Sequence, residues 1–415
     1  MKILLATYWP LPHLGGVWPF MEQIKRKMEA LGHTVDIMGN GAAEPRYHIV
    51  GTDREISKEK LLPMVKAKLP ALLYPSLNED SLVQHVETDR YCMELAAAYF
   101  GVGQYDVIHT QDVISTLAMN RVRHRHTALV ASIHGSLARE VKMALAKQYP
   151  QLNLNDSIVW KYYYAIERLG AMAGEVTITS SQWLKKLLME QFAVPAQQLT
   201  VFQYGLDTGT FFTKRAQGTD LHKPLGKKLI ICPARLVYIK GIHHLLDALA
   251  LLKQVRSDWE CWIVGDGDKR EELERQAVTL GLSQDVKFLG NRKDVPALLA
   301  LCDIFAHPSI QDNQPFSVME AQVSGKPSVV SDAGGLPEIV EHGVTGFVSP
   351  VGDIYSLFRH LKQLVENDAL RRSMSVNAQG WGMRHWSLET MIQRTLSVYQ
   401  AASTLNTAKR SGYYV

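Results

Sequence analysis

The chain has 415 residues, 46% hydrophobic and 21% charged, with a formal net charge of +4 at pH 7. That length exceeds what one core holds and suits two domains of ordinary size, and so mild a charge argues against a dedicated nucleic-acid binder. Four cysteines, Cys92, Cys232, Cys261 and Cys302, stand far apart without a C-x-x-C pair, which suits a reducing cytosol and offers no zinc site.

Residues 1–7 read as a buried parallel strand, too short an apolar run for a secretory leader. A loop over 8–18 carries His13, Gly15 and Gly16. A helix over 19–31, with Phe20, Ile24, Met28 and Leu31 on one face, and a strand over 34–38 complete a βαβ opening. The paired glycines would let backbone approach a ligand without Cβ interference, or else make a plain tight turn. Residues 41–89 are mixed. Helical spacing over 56–72 is interrupted by Pro63 and Pro70, and the stretch reads as a domain-specific excursion. Helices are expected over 90–100 and 113–121, with a strand over 106–110 between them. The run Asn120-Arg-Val-Arg-His-Arg-His126 reads first as a solvated helix end, with anionic lipid or an acidic acceptor as the alternative partner. A strand over 128–133 ends at His134-Gly135. The carboxyl end of a parallel strand faces the ligand crevice, so His134 is either structural or a site residue. Helices over 159–173 and 181–191 flank a strand over 176–180.

Residues 214–228 are polar, with Gly218 and Gly226, and read as linker. A strand over 228–233 follows. After it Arg235 and Lys240 stand five apart on a loop before a helix, where two cations can close on one diphosphate or can simply face solvent. A strand over 259–264 runs into Gly265-Asp266-Gly267-Asp268, which contains a literal D-x-D. No apolar run approaches the length that spans a bilayer; even residues 245–252 are cut by Asp247 and followed by Lys253.

Residues 303–331 read as strand, polar loop, helix and strand. Pro315 falls in the first helical turn, where its missing N–H would be unpaired anyway, and Gly325 and Pro327 end the helix. The amides of Phe316, Ser317 and Val318 would then be free to bind an anion. Asp312 before the helix and Glu320 about one turn into it, eight residues apart, would bracket a held phosphate and accept hydroxyl hydrogen bonds. A loop acid and a helix acid without a ligand are the plainer alternative. A last helix is expected over about 387–401, and the tail from 403 is expected to be disordered.

The segment DNQPFSVMEAQVSGKPSVVSDAGGLPE (312–338) resembles the E-x7-E segment of the retaining family-4 glycosyltransferases, with Asp312 where the family has Glu. ARLVYIKG (234–241) resembles the family's G-R-L-x-x-x-K-G. LTVFQYGLDTGTFF (199–212) resembles its hinge V-I-P-N-G-V-D, with Gln203-Tyr204 in place of Pro-Asn. The likeness is strongest over 228–350 and weak over 41–105. It implies an α/β chain of the GT-B fold, two Rossmann-like doubly wound parallel-sheet domains facing a central cleft. Residues 1–205 would form the acceptor side and 206–383 the nucleotide-sugar side. A crossover helix over 384–402 would pack back on the first domain, and 403–415 would be a flexible tail.

The resemblance further implies transfer of a hexose with retention, without a metal ion or other cofactor, from a nucleoside-diphosphate sugar (UDP before GDP). The acceptor would be a carbohydrate or lipid-linked hydroxyl in bacterial cell-surface or envelope glycan synthesis. It gives Arg235 and Lys240 to the α- and β-phosphates, Asp312 to hydroxyls of the donor sugar and Glu320 to the ribose. Leu289 and Gly290 would hold the nucleobase by backbone, Gly15 and Gly16 would face the diphosphate and acceptor, and His134 would lie near the reacting sugar. It reads Asp266 as a turn residue rather than a metal ligand. No nucleic-acid partner is implied. The location would be cytoplasmic, with peripheral contact at the inner membrane face left open. Two further readings are a nucleotide-sugar epimerase on the same fold and a non-catalytic coat or scaffold protein, for which Asp312 is the only sign.

Overall fold

The computed structural model describes residues 1–12, 15–42, 44–68, 80–148, 151 and 153–411; His13 and Pro70 therefore lie outside the described residues. The chain divides into two compact units, Met1–Phe202 with Ile392–Val415, and Gln203–Met391.

The first unit is organised on β1 (Lys2–Leu11), β2 (Thr34–Gly41), β3 (Arg46–Ile49), β4 (Glu55–Ser57), β5 (Val107–Thr110), β6 (Ala128–Ile133), β7 (Val176–Thr179) and β8 (Leu199–Val201). They lie in the order β4-β3-β2-β1-β5-β6-β7-β8. Pairing is parallel from β2 to β8 and antiparallel for β3 and β4 at the edge. The central strands are buried on both faces, as in Ile3, Leu4, Leu5, Val107, Ile108, Leu129 and Val130. This is why they read as unbroken apolar runs rather than alternating ones. Around them run α1 (Val17–Ala30), α2 (Lys58–Lys68), α3 (Ser81–Tyr99), α4 (Val113–Val122), α5 (Leu137–Gln148), α6 (Ile158–Ala173) and α7 (Gln182–Phe192).

Three expectations change here. Leu31, placed on the buried face of the first helix, is its exposed C-terminal neighbour, whereas Phe20, Ile24 and Met28 are buried. Pro63 does not interrupt its helix: α2 runs through it with Leu61 and Val65 buried, so core burial offsets the single lost backbone bond. The helix expected to start near residue 90 begins at Ser81, because the Asp80 carboxylate accepts from Leu82 N at 2.8 Å and Val83 N at 3.2 Å.

The strand order reverses direction at β1 and β5, the switch point at which such sheets open a crevice. Asp112 fastens this point. Its Oδ2 accepts from Tyr8 N at 2.8 Å and Thr7 Oγ1 at 2.9 Å, and its Oδ1 caps α4 through Ser115 N at 2.7 Å.

The second unit begins with α8 (Thr208–Ala216), which takes up the first part of the expected linker. Its sheet contains β9 (Lys228–Pro233), β10 (Trp259–Val264), β11 (Val286–Phe288), β12 (Ile304–His307), β13 (Ser328–Ser331) and β14 (Gly346–Ser349). The order is β11-β10-β9-β12-β13-β14, parallel throughout, so the switch point falls between β9 and β12. The covering helices are α9 (Ile242–Val255), α10 (Arg270–Thr279), α11 (Val295–Leu301), α12 (Phe316–Val323), α13 (Ile354–Glu366) and α14 (Asp368–His385).

The last helix, α15, spans Leu388–Ser411 and joins the first unit from Ile392 onward. Residues 403–411, expected as tail, are thus helical. They are held because Tyr399 bonds His109 through its hydroxyl at 2.8 Å and Asn406 donates to the Arg125 carbonyl at 3.1 Å. Among the described residues, no helix is long and apolar enough to cross a membrane.

Candidate active site

In the second unit, the loops that leave β9 and β12 lie side by side at the switch point. The first carries Arg235 and Lys240, the second Asp312, and they are joined by the Ile310 N–H, which donates to the Ile239 carbonyl at 2.7 Å. Gly241 makes this closeness workable. It takes φ +64°, and a Cβ there would fall 2.0 Å from the Pro308 carbonyl oxygen. Gly265 and Gly267 do the same on the other flank, where a Cβ would meet the Ala234 and Leu236 carbonyl oxygens at 2.0 and 2.4 Å. The Arg235 loop is therefore clasped by the turn after β10. In that turn the Asp266 carboxylate accepts from Gly267 N at 2.8 Å. Among the described residues, no group of three or more His, Cys, Asp or Glu is placed to hold a metal ion.

Lys240 Nζ donates to Asp312 Oδ2 at 2.5 Å, with both side chains largely buried. The same oxygen accepts from His307 Nε2 at 2.7 Å and Ser309 Oγ at 3.2 Å. Burial opposes the charge on Asp312. The Lys240 ammonium and then the His307 N–H outweigh it and hold the carboxyl far below the usual range. His307 is itself buried, which lowers its basicity and keeps the ring neutral, with the Nε2 proton available to donate. Asp312 was expected to be free to accept hydroxyls; instead it is occupied, because an aspartate at this place reaches the Lys240 side chain directly. Arg235, by contrast, is exposed, and its guanidinium makes no hydrogen bond or ion pair among the described residues.

Pro315 precedes α12 with extended backbone. Val318 N donates back to the Pro315 carbonyl at 3.2 Å, so of the three amides expected free only those of Phe316 and Ser317 lack an acceptor among the described residues. Glu320 is half-buried on α12. Burial pushes its carboxyl up to about 7, against a smaller opposing pull from the Lys214 ammonium. At Leu289 and Gly290 the chain leaves β11, and the sheet closure consumes the Leu289 N–H (to Ile263 O, 2.9 Å) and the Gly290 carbonyl (from Gly265 N, 2.8 Å). Among the described residues, the Leu289 carbonyl and the Gly290 N–H have no backbone hydrogen bond.

Sequence reasoning did not single out three of the residues that shape this site. His307 sits on the strand before the loop and offers no motif. Gln314 Oε1 accepts from Tyr204 N at 2.9 Å while Tyr204 stacks on Phe316 at 5.9 Å, which ties residues 203–206 to the tip of α12. Gln322 Oε1 accepts from Trp386 Nε1 at 2.8 Å, tying the same helix to the segment before α15. The replacement of Pro-Asn by Gln203-Tyr204 was visible in the sequence, but its partner was not.

In the first unit, Gly15 takes φ +151° and Gly16 has ordinary helical backbone at the start of α1. His134 is half-buried after β6. Its Nε2 lies 3.0 Å from Gln111 Oε1, and Phe20 packs edge-on against its ring at 5.1 Å. Gln111 Nε2 donates to the His109 carbonyl at 3.1 Å, which fixes the amide so that its oxygen faces the histidine. His134 must then carry its proton on Nε2. The wholly buried Glu167 accepts from Ala138 N at 2.9 Å at the start of α5. Burial drives this carboxyl up to about 8.

Two family models match the chain. One described as "Glycosyltransferase Family 4" matches residues 14–210, and one described as "Glycosyl transferases group 1" matches residues 214–381. The chain belongs to the glycosyltransferases of the GT-B fold. This glycosyltransferase is 25% identical to the MMP alpha-(1->4)-mannosyltransferase of Mycolicibacterium hassiacum, over 97% of this chain and 98% of that one. Among solved structures it resembles Anabaena HepE in complex with UDP, at 22% identity and TM-score 0.65, covering 97% of this chain and 100% of that one. It also resembles the sucrose-phosphate synthase of Thermosynechococcus elongatus, at 19% identity and TM-score 0.75, covering 96% and 98%.

Proposed function

We propose that this glycosyltransferase moves a hexose from a nucleoside-diphosphate sugar, UDP-linked in the first instance, to a carbohydrate or lipid-linked acceptor hydroxyl. The product belongs to cell-surface or envelope glycan synthesis on the cytoplasmic side of the membrane, and the sugar keeps its anomeric configuration. The observation that carries this reading is the grouping of Lys240, Asp312 and the Phe316 and Ser317 amides at the second switch point, with Arg235 unengaged on the same loop as Lys240. A mannosyltransferase among the relatives and a UDP complex among the structural neighbours lend support to a hexose and to a nucleoside diphosphate.

In this account Arg235 and Lys240 take the α- and β-phosphates and stabilise the charge that grows as the diphosphate leaves. The helix-tip amides add two fixed donors. Glu320 holds the ribose, the main chain at Leu289 and Gly290 meets the base, Gly15 and Gly16 serve the diphosphate and acceptor, and His134 serves the reacting sugar. The acceptor attacks from the face that the diphosphate vacates, and the leaving diphosphate takes the acceptor proton. Rate then comes from positioning and charge stabilisation, with no covalent enzyme intermediate and no metal ion. A panel of nucleotide sugars, assayed for nucleoside-diphosphate release and for the anomer of the product, tests this. Release from at least one of them with retention is expected; release from none, or an inverted product, refutes it.

A further inference from the structure

Asp312 Oδ2 is oversubscribed. It accepts from Lys240, His307 and Ser309, three donors on an oxygen with two lone pairs, while Oδ1 accepts from Asn313 N at 3.0 Å. The three partners differ in how readily they can leave. His307 is 2% exposed, lies on β12, and its ring stacks on Phe305 at 6.1 Å with an interplanar angle of 13°. Its Nδ1 is buried and makes no hydrogen bond among the described residues, so the interaction through Nε2 is the one that fixes the ring. Ser309 Oγ also lies 3.0 Å from His307 Nε2, which holds it in the same cluster. Lys240 differs, because its ammonium is on a four-carbon stem at the end of a loop and can swing to another anion. When it does, Asp312 keeps three donors, His307, Ser309 and the Asn313 N–H, and is not stranded as a buried, unpaired charge.

We infer that Asp312 and the donor diphosphate compete for the Lys240 ammonium, and that His307 is a positioning residue that retains Asp312 once Lys240 has turned to the phosphates. The inference rests on the donor reading proposed above. In the structure the ammonium is paired with the chain's own carboxylate. A diphosphate, carrying more charge and backed by the Phe316 and Ser317 amides, draws it away. The first acid of the motif thus acts here as a counter-ion that sets the affinity of the phosphate site. The identity of the residue matters: an aspartate at 312 lies within reach of Lys240, His307 and Ser309 together.

Calorimetric titration with UDP and with GDP, neither of which carries a sugar, tests this. Asp312→Asn should tighten nucleoside-diphosphate binding by about tenfold, since the amide no longer forms an ion pair with Lys240. His307→Leu should weaken it by about tenfold, because leaving then strands Asp312 with one fewer donor. His307→Gln places an amide N–H near the imidazole Nε2 and should stay within about threefold of the wild type. Should His307→Leu fail to fold, the contrast of Asp312→Asn with His307→Gln carries the same information. Unchanged or weaker binding by Asp312→Asn overturns the inference alone, as does a His307→Gln protein that binds as poorly as His307→Leu. Absence of any binding, by the wild type and by every variant, removes the donor reading and the inference with it.

Discussion

Replacing Arg235 by alanine separates turnover from folding more cleanly than any other change at the second switch point. The Arg235 side chain is exposed and bonded to nothing among the described residues, so its removal should change stability by no more than about 0.5 kcal/mol. Its proposed task, stabilising charge on the departing diphosphate, resembles that of an oxyanion donor, whose loss costs about 100- to 1000-fold in kcat, or roughly 2.7–4 kcal/mol. Lys240→Ala should lose as much activity. It also leaves Asp312 short of one charged partner, and the unfolding free energy should fall by about 1–3 kcal/mol. The two variants are compared by nucleoside-diphosphate release from the preferred nucleotide sugar and by thermal unfolding. The reasoning is refuted if Arg235→Ala turns over within about threefold of the wild type. A large drop in melting temperature for that variant would also refute it, since the guanidinium would then be structural.

Glu167 makes stability depend on pH. Its folded-state value of about 8 lies above the ordinary 4.5, so the folded chain holds the proton more tightly than the unfolded one. The stabilisation is full at low pH, declines as pH rises through that interval, and is gone above about 8, with a slope of at most roughly 1.4 kcal/mol for each step of one in pH. Urea denaturation across this range should show the decline in the wild type and a flatter profile in Glu167→Gln; equal slopes would show that Glu167 does not titrate as described. Gly241→Ala should cost more than about 1 kcal/mol and abolish transfer, because the added Cβ meets the Pro308 carbonyl and displaces Lys240. Gly226→Ala is the control, with φ +70° and nothing within 4 Å: it should unfold earlier than the wild type but transfer normally. Gln111→Leu removes the acceptor of the His134 proton. It should cut kcat about tenfold with little change in donor KM, while Gln111→Glu, which keeps an acceptor there, should lose less.

Much of the second unit could be read from the sequence because each of its features is local. The strand, loop, helix and strand over 303–331 appear as β12, α12 and β13, and Gly325, read as ending the helix, has φ +66°. The apolar runs of β9 and β10 are equally plain, since a parallel strand buried on both faces has no alternation to confuse it. The excursion over 41–89 was opaque for the converse reason. β3 and β4 are short, antiparallel and half-exposed, and α2 contains a proline that marks a break by every local rule.

What the sequence could not show was which side chains saturate one another. The Asp312 carboxylate looked available because nothing local opposes it. Its partners come from the end of β12 and from residue 240, seventy-two positions away in the chain. The same holds for Gln314 with Tyr204 and Gln322 with Trp386, each a long-range pair with no signature in either segment. The amide of Val318 was lost to a tight first turn that helix rules do not specify.

A crystal structure of the protein with UDP bound tests the central claim most directly. The account predicts the diphosphate at the start of α12, within hydrogen-bond reach of the Phe316 and Ser317 amides, of Arg235 and of a Lys240 that has left Asp312. Phosphates bound elsewhere, with Lys240 still on Asp312 and Arg235 in solvent, would contradict it.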